Sequence, residues 1–138
     1  MTYSLPAEPA LDRLQRAGLR PTRQRLGLAR LLFERGDRHV TAEQLHGEAL
    51  GAALQVSLAT VYNTLHQFTA AGLLREVVVE AGRSYFDTNT EDHHHFFFEG
   101  CGRLQDIPKD RLAVTDLPAA PEGTRVARVE VIIRLSAG

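Results

Sequence analysis

The sequence predicts an α+β chain: an N-terminal winged helix-turn-helix domain followed by a small α/β dimerisation domain. Three observations carry this. Apolar residues recur at helical spacing in four segments between residues 10 and 72. Strand composition takes over directly afterwards and folds back on itself. The run His93-His94-His95, with acids before it and Phe96-Phe97-Phe98 after it, then divides the chain. The expected boundaries are residues 1–87 for the first domain, a hinge at about 88–92, and residues 93–138 for the second. With 138 residues and 43% hydrophobic content there is enough for a core. Two lobes this small are marginal alone, so a homodimer is expected.

Each element has its own local signal. Leu11, Leu14 and Ala17 make a short helix that Gly18 ends, with Leu5 packing nearby. Arg20-Pro21 is extended. Thr22 caps a second helix, apolar on one face and arginine-rich on the other, with Gly36 past its end. Thr41-Ala42-Glu43-Gln44 reads as a capping box for a third helix running to about residue 51. Ser57 caps a fourth, from residue 58 to about 71, stopped by Gly72. Residues 73–80 and 84–87 form a hairpin around residues 81–83, the position of a wing. Phe96-Phe97-Phe98 and residues 103–107 are strands around the turn Gly100-Cys101-Gly102. Pro108, Pro118 and Pro121 interrupt the next stretch, leaving room for a short helix at about residues 109–114. Residues 126–135, rich in β-branched side chains, are the strongest single strand by composition.

Composition excludes several classes. No apolar run is long enough to cross a bilayer, and the N-terminus lacks the regions of a signal peptide. The single cysteine, Cys101, rules out an internal disulfide and fits a reducing cytoplasm. Net charge is −1, but it is unevenly spread. Residues 11–39 hold eight arginines against three acids, and residues 85–138 hold six basic and nine acidic residues. A basic front and an acidic rear suit a nucleic-acid binder with a regulatory lobe; a solvated arginine face is the plainer reading.

The fourth helix carries two patterns. Leu58, Val61, Leu65 and Phe68 fall on one face, toward the core. Ser57, Thr60, Tyr62, Asn63 and Thr64 place polar and aromatic groups near the N-terminal end, the end that enters a major groove in helix-turn-helix readers. Asn pairs bidentately with adenine, and Tyr or Thr packs on a thymine methyl. Arg20, Arg23 and Arg25 stand ready for phosphates. An ordinary amphipathic helix explains the same segment without DNA. His93 and His95, two residues apart, point to one side of an extended segment, which suits chelation of iron, zinc or manganese. A solvated histidine run is the alternative. Phe96, Phe97 and Phe98 could pack against a porphyrin or simply fill a strand's core face.

Residues 18–25, residues 38–45, Ser57 through Phe68, Tyr85-Phe86-Asp87 and the His93–His95 run together resemble the ferric uptake regulator (Fur) superfamily, in order and at matching spacing. Residues 59–68, His93-His94-His95-Phe96 and Leu117-Pro118-Ala119-Ala120-Pro121-Glu122-Gly123 resemble its iron response regulator (Irr) branch most. The resemblance implies a homodimeric transcription factor on AT-rich inverted repeats of double-stranded DNA. It also implies that Tyr62 contacts thymine and that Arg20 enters a minor groove. Asn63 stands where the superfamily has a guanine-reading arginine, so a different operator is expected, with adenine favoured there.

The resemblance further implies one sensory site at His39, Asp87, His93 and His95, holding a divalent metal (Fe2+, Mn2+ or Zn2+), with Asp87 in place of the usual Glu. The Irr branch senses haem, for which His93 and His95 are the candidate ligands rather than Cys101. The superfamily's four-cysteine structural zinc site is not expected, because Phe98 and Cys101 occupy the first pair's spacing and no cysteine comes after them. Its second metal site also fails to carry over: Val129 replaces a histidine, leaving His94 alone. The expected function is therefore a transcriptional regulator of iron homeostasis, with a manganese, zinc or peroxide sensor as the alternative. A His/Asp metalloenzyme is remote, since no general base, nucleophile or substrate loop accompanies the ligands.

Overall fold

A computed structural model describes residues 8–138; the packing expected of Leu5 lies outside them. The chain divides into two units, one through Thr90 and one from Glu91 to Gly138.

The first unit begins with α1 (Ala10–Arg16) and α2 (Arg23–Phe33). Two fully buried residues of α1, Ala10 and Leu14, fix it to the core. Gly18, at φ +74°, turns the chain out of α1 while the Leu19 N–H returns to the Leu14 carbonyl. Thr22 caps α2, its hydroxyl accepting from the Arg25 N–H at 3.2 Å. The two-residue strand β1 (His39–Val40) leads into α3 (Ala42–Gly51). Its capping box is complete: Thr41 accepts from the Gln44 N–H, and the Gln44 side chain accepts from the Thr41 N–H. Ser57 caps α4 (Leu58–Ala70). Gly72, at φ +81°, then redirects the chain into β2 (Arg75–Glu80) and β3 (Arg83–Asp87).

These strands and β1 make an antiparallel sheet in the order β1-β3-β2. Its alternation shows in β2, where Val77 and Val79 are buried and Val78 is exposed. The core joins Leu28, Leu32, Phe33, Leu45, Val61, Leu65, Phe68 and Phe86. Each such side chain contributes roughly 1.5–3 kcal/mol relative to exposure.

The second unit is a three-stranded sheet, β5-β4-β6, made by β4 (His94–Phe98), β5 (Arg103–Ile107) and β6 (Ile132–Leu135). β4 pairs antiparallel with β5 and parallel with β6. Phe97, Leu104 and Ile107 are its buried apolar residues. Two expectations are corrected here. The strand expected over residues 126–135 is confined to Ile132–Leu135, because a strand needs a paired neighbour and β4 offers partners only from His95 to Phe98. The helix expected at residues 109–114 is a single 3₁₀ turn, Lys109–Arg111.

Candidate metal centre and nucleic-acid interface

His93 and His95 are both buried, at 5% and 1% exposure, and their rings lie 4.4 Å apart. Each aims Nε2 at the same atom, Asp106 Oδ1, at 3.4 Å from His93 and 3.3 Å from His95. The ligand-type atoms of His93, His95 and Asp106 fall within 4.8 Å of one another. The His93 Nδ1 lies 2.6 Å from the Glu91 carbonyl. A carbonyl only accepts, so Nδ1 carries the proton, and in the neutral ring Nε2 keeps its lone pair. A lone pair facing a carboxylate is repulsive unless a proton or a cation stands between them. Two imidazoles and a carboxylate are a donor set that suits a divalent transition metal, and the backbone bond to His93 is the outer-shell support such a ligand needs.

Nothing in the local sequence marks Asp106 as a ligand. The β4–β5 register brings it in: His95 is the direct cross-strand partner of Asp106. His94 points to the other face, and it is not alone. Its Nδ1 accepts the Val131 N–H at 3.0 Å, so it ties the approach to β6 onto β4. Cys101 is exposed, in the turn after β4.

The other two expected ligands belong to the first unit, where they are neighbours. His39 on β1 is the register partner of Asp87 on β3. Asp87 is 1% exposed, and its Oδ1 accepts the Asn89 N–H at 2.9 Å. The His39 ring stands edge-on to Tyr85, 6.1 Å away. Arg38, just before His39, makes a fork to Glu48 on α3 at 2.8 and 2.6 Å, and its N–H and carbonyl both bond Thr88. This pairing holds the Glu48 carboxyl below its usual range.

The structure brings some of the expected reading residues together and separates others: Tyr62 lines a groove with Glu43 and His66, and Arg23 lies beside Leu54. Arg20, Arg25, Thr60, Asn63 and Gln67 line one surface groove. Arg25 is held in place by Gln67 and by the Arg20 carbonyl. Arg20, Arg23, Ser57 and Asn63 are exposed. The Ser57 hydroxyl accepts the Thr60 N–H and donates to the Thr60 hydroxyl, so both residues also serve the cap. Thr64 also lines the groove with Arg20 and Asn63 but is only 4% exposed, because it lies on the same side of α4 as Val61, Leu65 and Phe68. A helix repeat of 3.6 residues puts it there regardless of its polarity. Tyr62 is half-buried, and its hydroxyl donates to Glu43 Oε1 on α3 at 2.7 Å. That bond holds the Glu43 carboxyl low and pushes the Tyr62 phenol up.

No helix among the described residues is long and apolar enough to cross a membrane. The model of the "Ferric uptake regulator family" matches residues 16–134. The ferric uptake regulation protein of Escherichia coli (strain K12) is 33% identical over 115 residues, covering 82% of this chain and 78% of that protein. The peroxide-responsive repressor PerR of Staphylococcus aureus (strain Mu50 / ATCC 700699) is 32% identical over 105 residues, covering 76% of this chain and 70% of the repressor. The fold is similar to that of the ferric uptake regulator from Pseudomonas aeruginosa with manganese, at TM-score 0.69 and 22% identity over 94% of this chain and 98% of that one. The chain belongs to the ferric uptake regulator family, whose members are metal-responsive transcriptional regulators that bind DNA and dimerise, and are not enzymes.

Proposed function

We propose that this protein is a cytoplasmic, homodimeric regulator of iron homeostasis that reads AT-rich inverted repeats and responds to a divalent metal, Fe2+, Mn2+ or Zn2+. The observation that carries the reading is the convergence of His93, His95 and Asp106 on one point. His93, His95 and Asp106 hold the ion, and the family resemblance adds His39 and Asp87 to the ligand set. When bound, a divalent ion supplies positive charge that binds imidazole and carboxylate groups together.

DNA reading falls to residues 1–87 and sensing and dimerisation to residues 93–138, a division supported by the two compact units, one through Thr90 and one from Glu91. Three buried apolar residues make a small core for the second unit, which supports association with a second copy. A two-fold dimer reads two half-sites, hence an inverted repeat. Asn63 pairs with adenine and Tyr62 packs on a thymine methyl, while Arg20, Arg23 and Arg25 hold phosphates. The ligand acts by favouring one arrangement of the reading helices over others.

A second reading, haem as the signal with His93 and His95 as its ligands, is supported by the histidine run and its resemblance to the Irr branch. The compact approach of both Nε2 atoms to one carboxylate favours the bare ion.

The test is selection of duplexes from a randomised pool by the full-length protein with Mn2+, followed by binding with Mn2+, EDTA or haem. An AT-rich inverted repeat is expected, with affinity that changes by about tenfold or more on chelation. Enrichment of no sequence, or an affinity indifferent to all three additions, overturns the proposal. Sensitivity to haem alone replaces the metal with haem.

A further inference from the structure

Tyr62 is fixed at two points before any DNA arrives. Its hydroxyl donates to Glu43 Oε1 at 2.7 Å, and its ring lies nearly parallel to that of His66, one helical turn along α4, with centroids 6.5 Å apart and 20° between planes. His66 is held in turn by the wing, its ring edge-on to Phe86 of β3 at 5.6 Å. Glu43 sits in the first turn of α3, whose start is fixed by the Thr41–Gln44 capping box. The acceptor therefore stands on a rigid support.

We infer that Glu43 is a positioning residue for base reading: it holds Tyr62, braced against His66, in the orientation from which the ring meets a thymine methyl. This deepens the proposed function and rests on Tyr62 being a base reader. An unsupported tyrosine must lose its side-chain freedom on binding, which weakens association and blurs the contact. A tyrosine already held meets the base without that loss. Glu43 itself carries a negative charge beside the reading helix. On charge alone its removal favours phosphate binding, whereas the inference requires its removal to blunt sequence discrimination. The two effects move in opposite directions and are separable.

The experiment uses full-length protein, Mn2+ throughout, and a duplex selected from the randomised pool. Each thymine of a half-site is replaced singly by deoxyuridine, which removes only the methyl group. Wild type is expected to lose affinity roughly three- to tenfold at one thymine. Tyr62→Ala removes this penalty. Glu43→Ala and Tyr62→Phe both shrink it toward no penalty, and Glu43→Ala adds nothing further on the Tyr62→Phe background. Glu43→Gln, which keeps an acceptor oxygen, restores it. Unfolding curves matching wild type separate these effects from loss of fold. A full penalty in Glu43→Ala, with none in Tyr62→Ala, overturns the role of Glu43 alone. Loss in Glu43→Gln equal to that in Glu43→Ala also overturns it, as does a change of base preference at some other position, which makes Glu43 a direct reader. A full penalty in Tyr62→Ala overturns the reading of Tyr62 itself.

Discussion

His95 Nε2 lies 3.3 Å from Asp106 Oδ1, between residues that face each other across the β4–β5 ladder. The hairpin register thus delivers a carboxylate to the two histidines. Asp106→Asn keeps the shape and removes the charge. Metal affinity is expected to fall by about tenfold or more, measured by titration with Mn2+. Because Asp106 is about half exposed, the fold itself should tolerate the change.

His94 tests the opposite role. Its Nδ1 accepts the Val131 N–H, outside the His93, His95 and Asp106 cluster. His94→Ala leaves that donor without its acceptor and should cost about 1 kcal/mol of stability. Metal affinity should be unchanged. Urea unfolding and Mn2+ titration of the same sample separate the two effects.

The Arg38–Glu48 pair gives a pH signature. Pairing lowers the folded carboxyl below its ordinary value of 4.5. Its stabilisation is therefore present above that value and is lost as pH falls through the lower folded one. Glu48→Gln should cost about 1 kcal/mol at pH 7, the scale of a partly exposed pair. The difference from wild type should vanish in acid, below the usual carboxylate range. Thermal unfolding against pH is the measurement.

Ala53 occupies the left-handed position after α3, at φ +58°, where the Leu54 N–H returns to the Ala49 carbonyl. An L side chain there is strained by roughly 1–2 kcal/mol. Glycine relieves that strain but gains freedom in the unfolded chain, which offsets about half. Ala53→Gly is expected to stabilise the protein by about 0.5–1 kcal/mol, read as a rise in the urea midpoint.

Local chemistry was legible in the sequence. Thr22, Thr41 and Ser57 each cap a helix through their own hydroxyl, and a cap depends on the next three residues. The wing was legible because two strand-like runs flank a tight turn. Features that depend on distant partners were not. Asp106 joins the histidines only through a register between strands. His94 gains a backbone donor from residue 131, 37 positions away. Residues 126–131 have strand composition, but within this chain pairing sets the strand's length, at Ile132–Leu135. Thr64 reads as a surface residue by polarity, yet its helical phase leaves it only 4% exposed, on the side of Val61, Leu65 and Phe68.

In the proposed function, the His93, His95 and Asp106 cluster couples an ion to DNA reading. The most direct measurement is the affinity of full-length wild type and His93→Ala/His95→Ala for the selected duplex, with Mn2+ and with EDTA. Wild type should differ by about tenfold or more between the two conditions. The double variant should remain folded, bind the duplex, and show no difference. A double variant that keeps the full Mn2+ response removes the two histidines from the coupling.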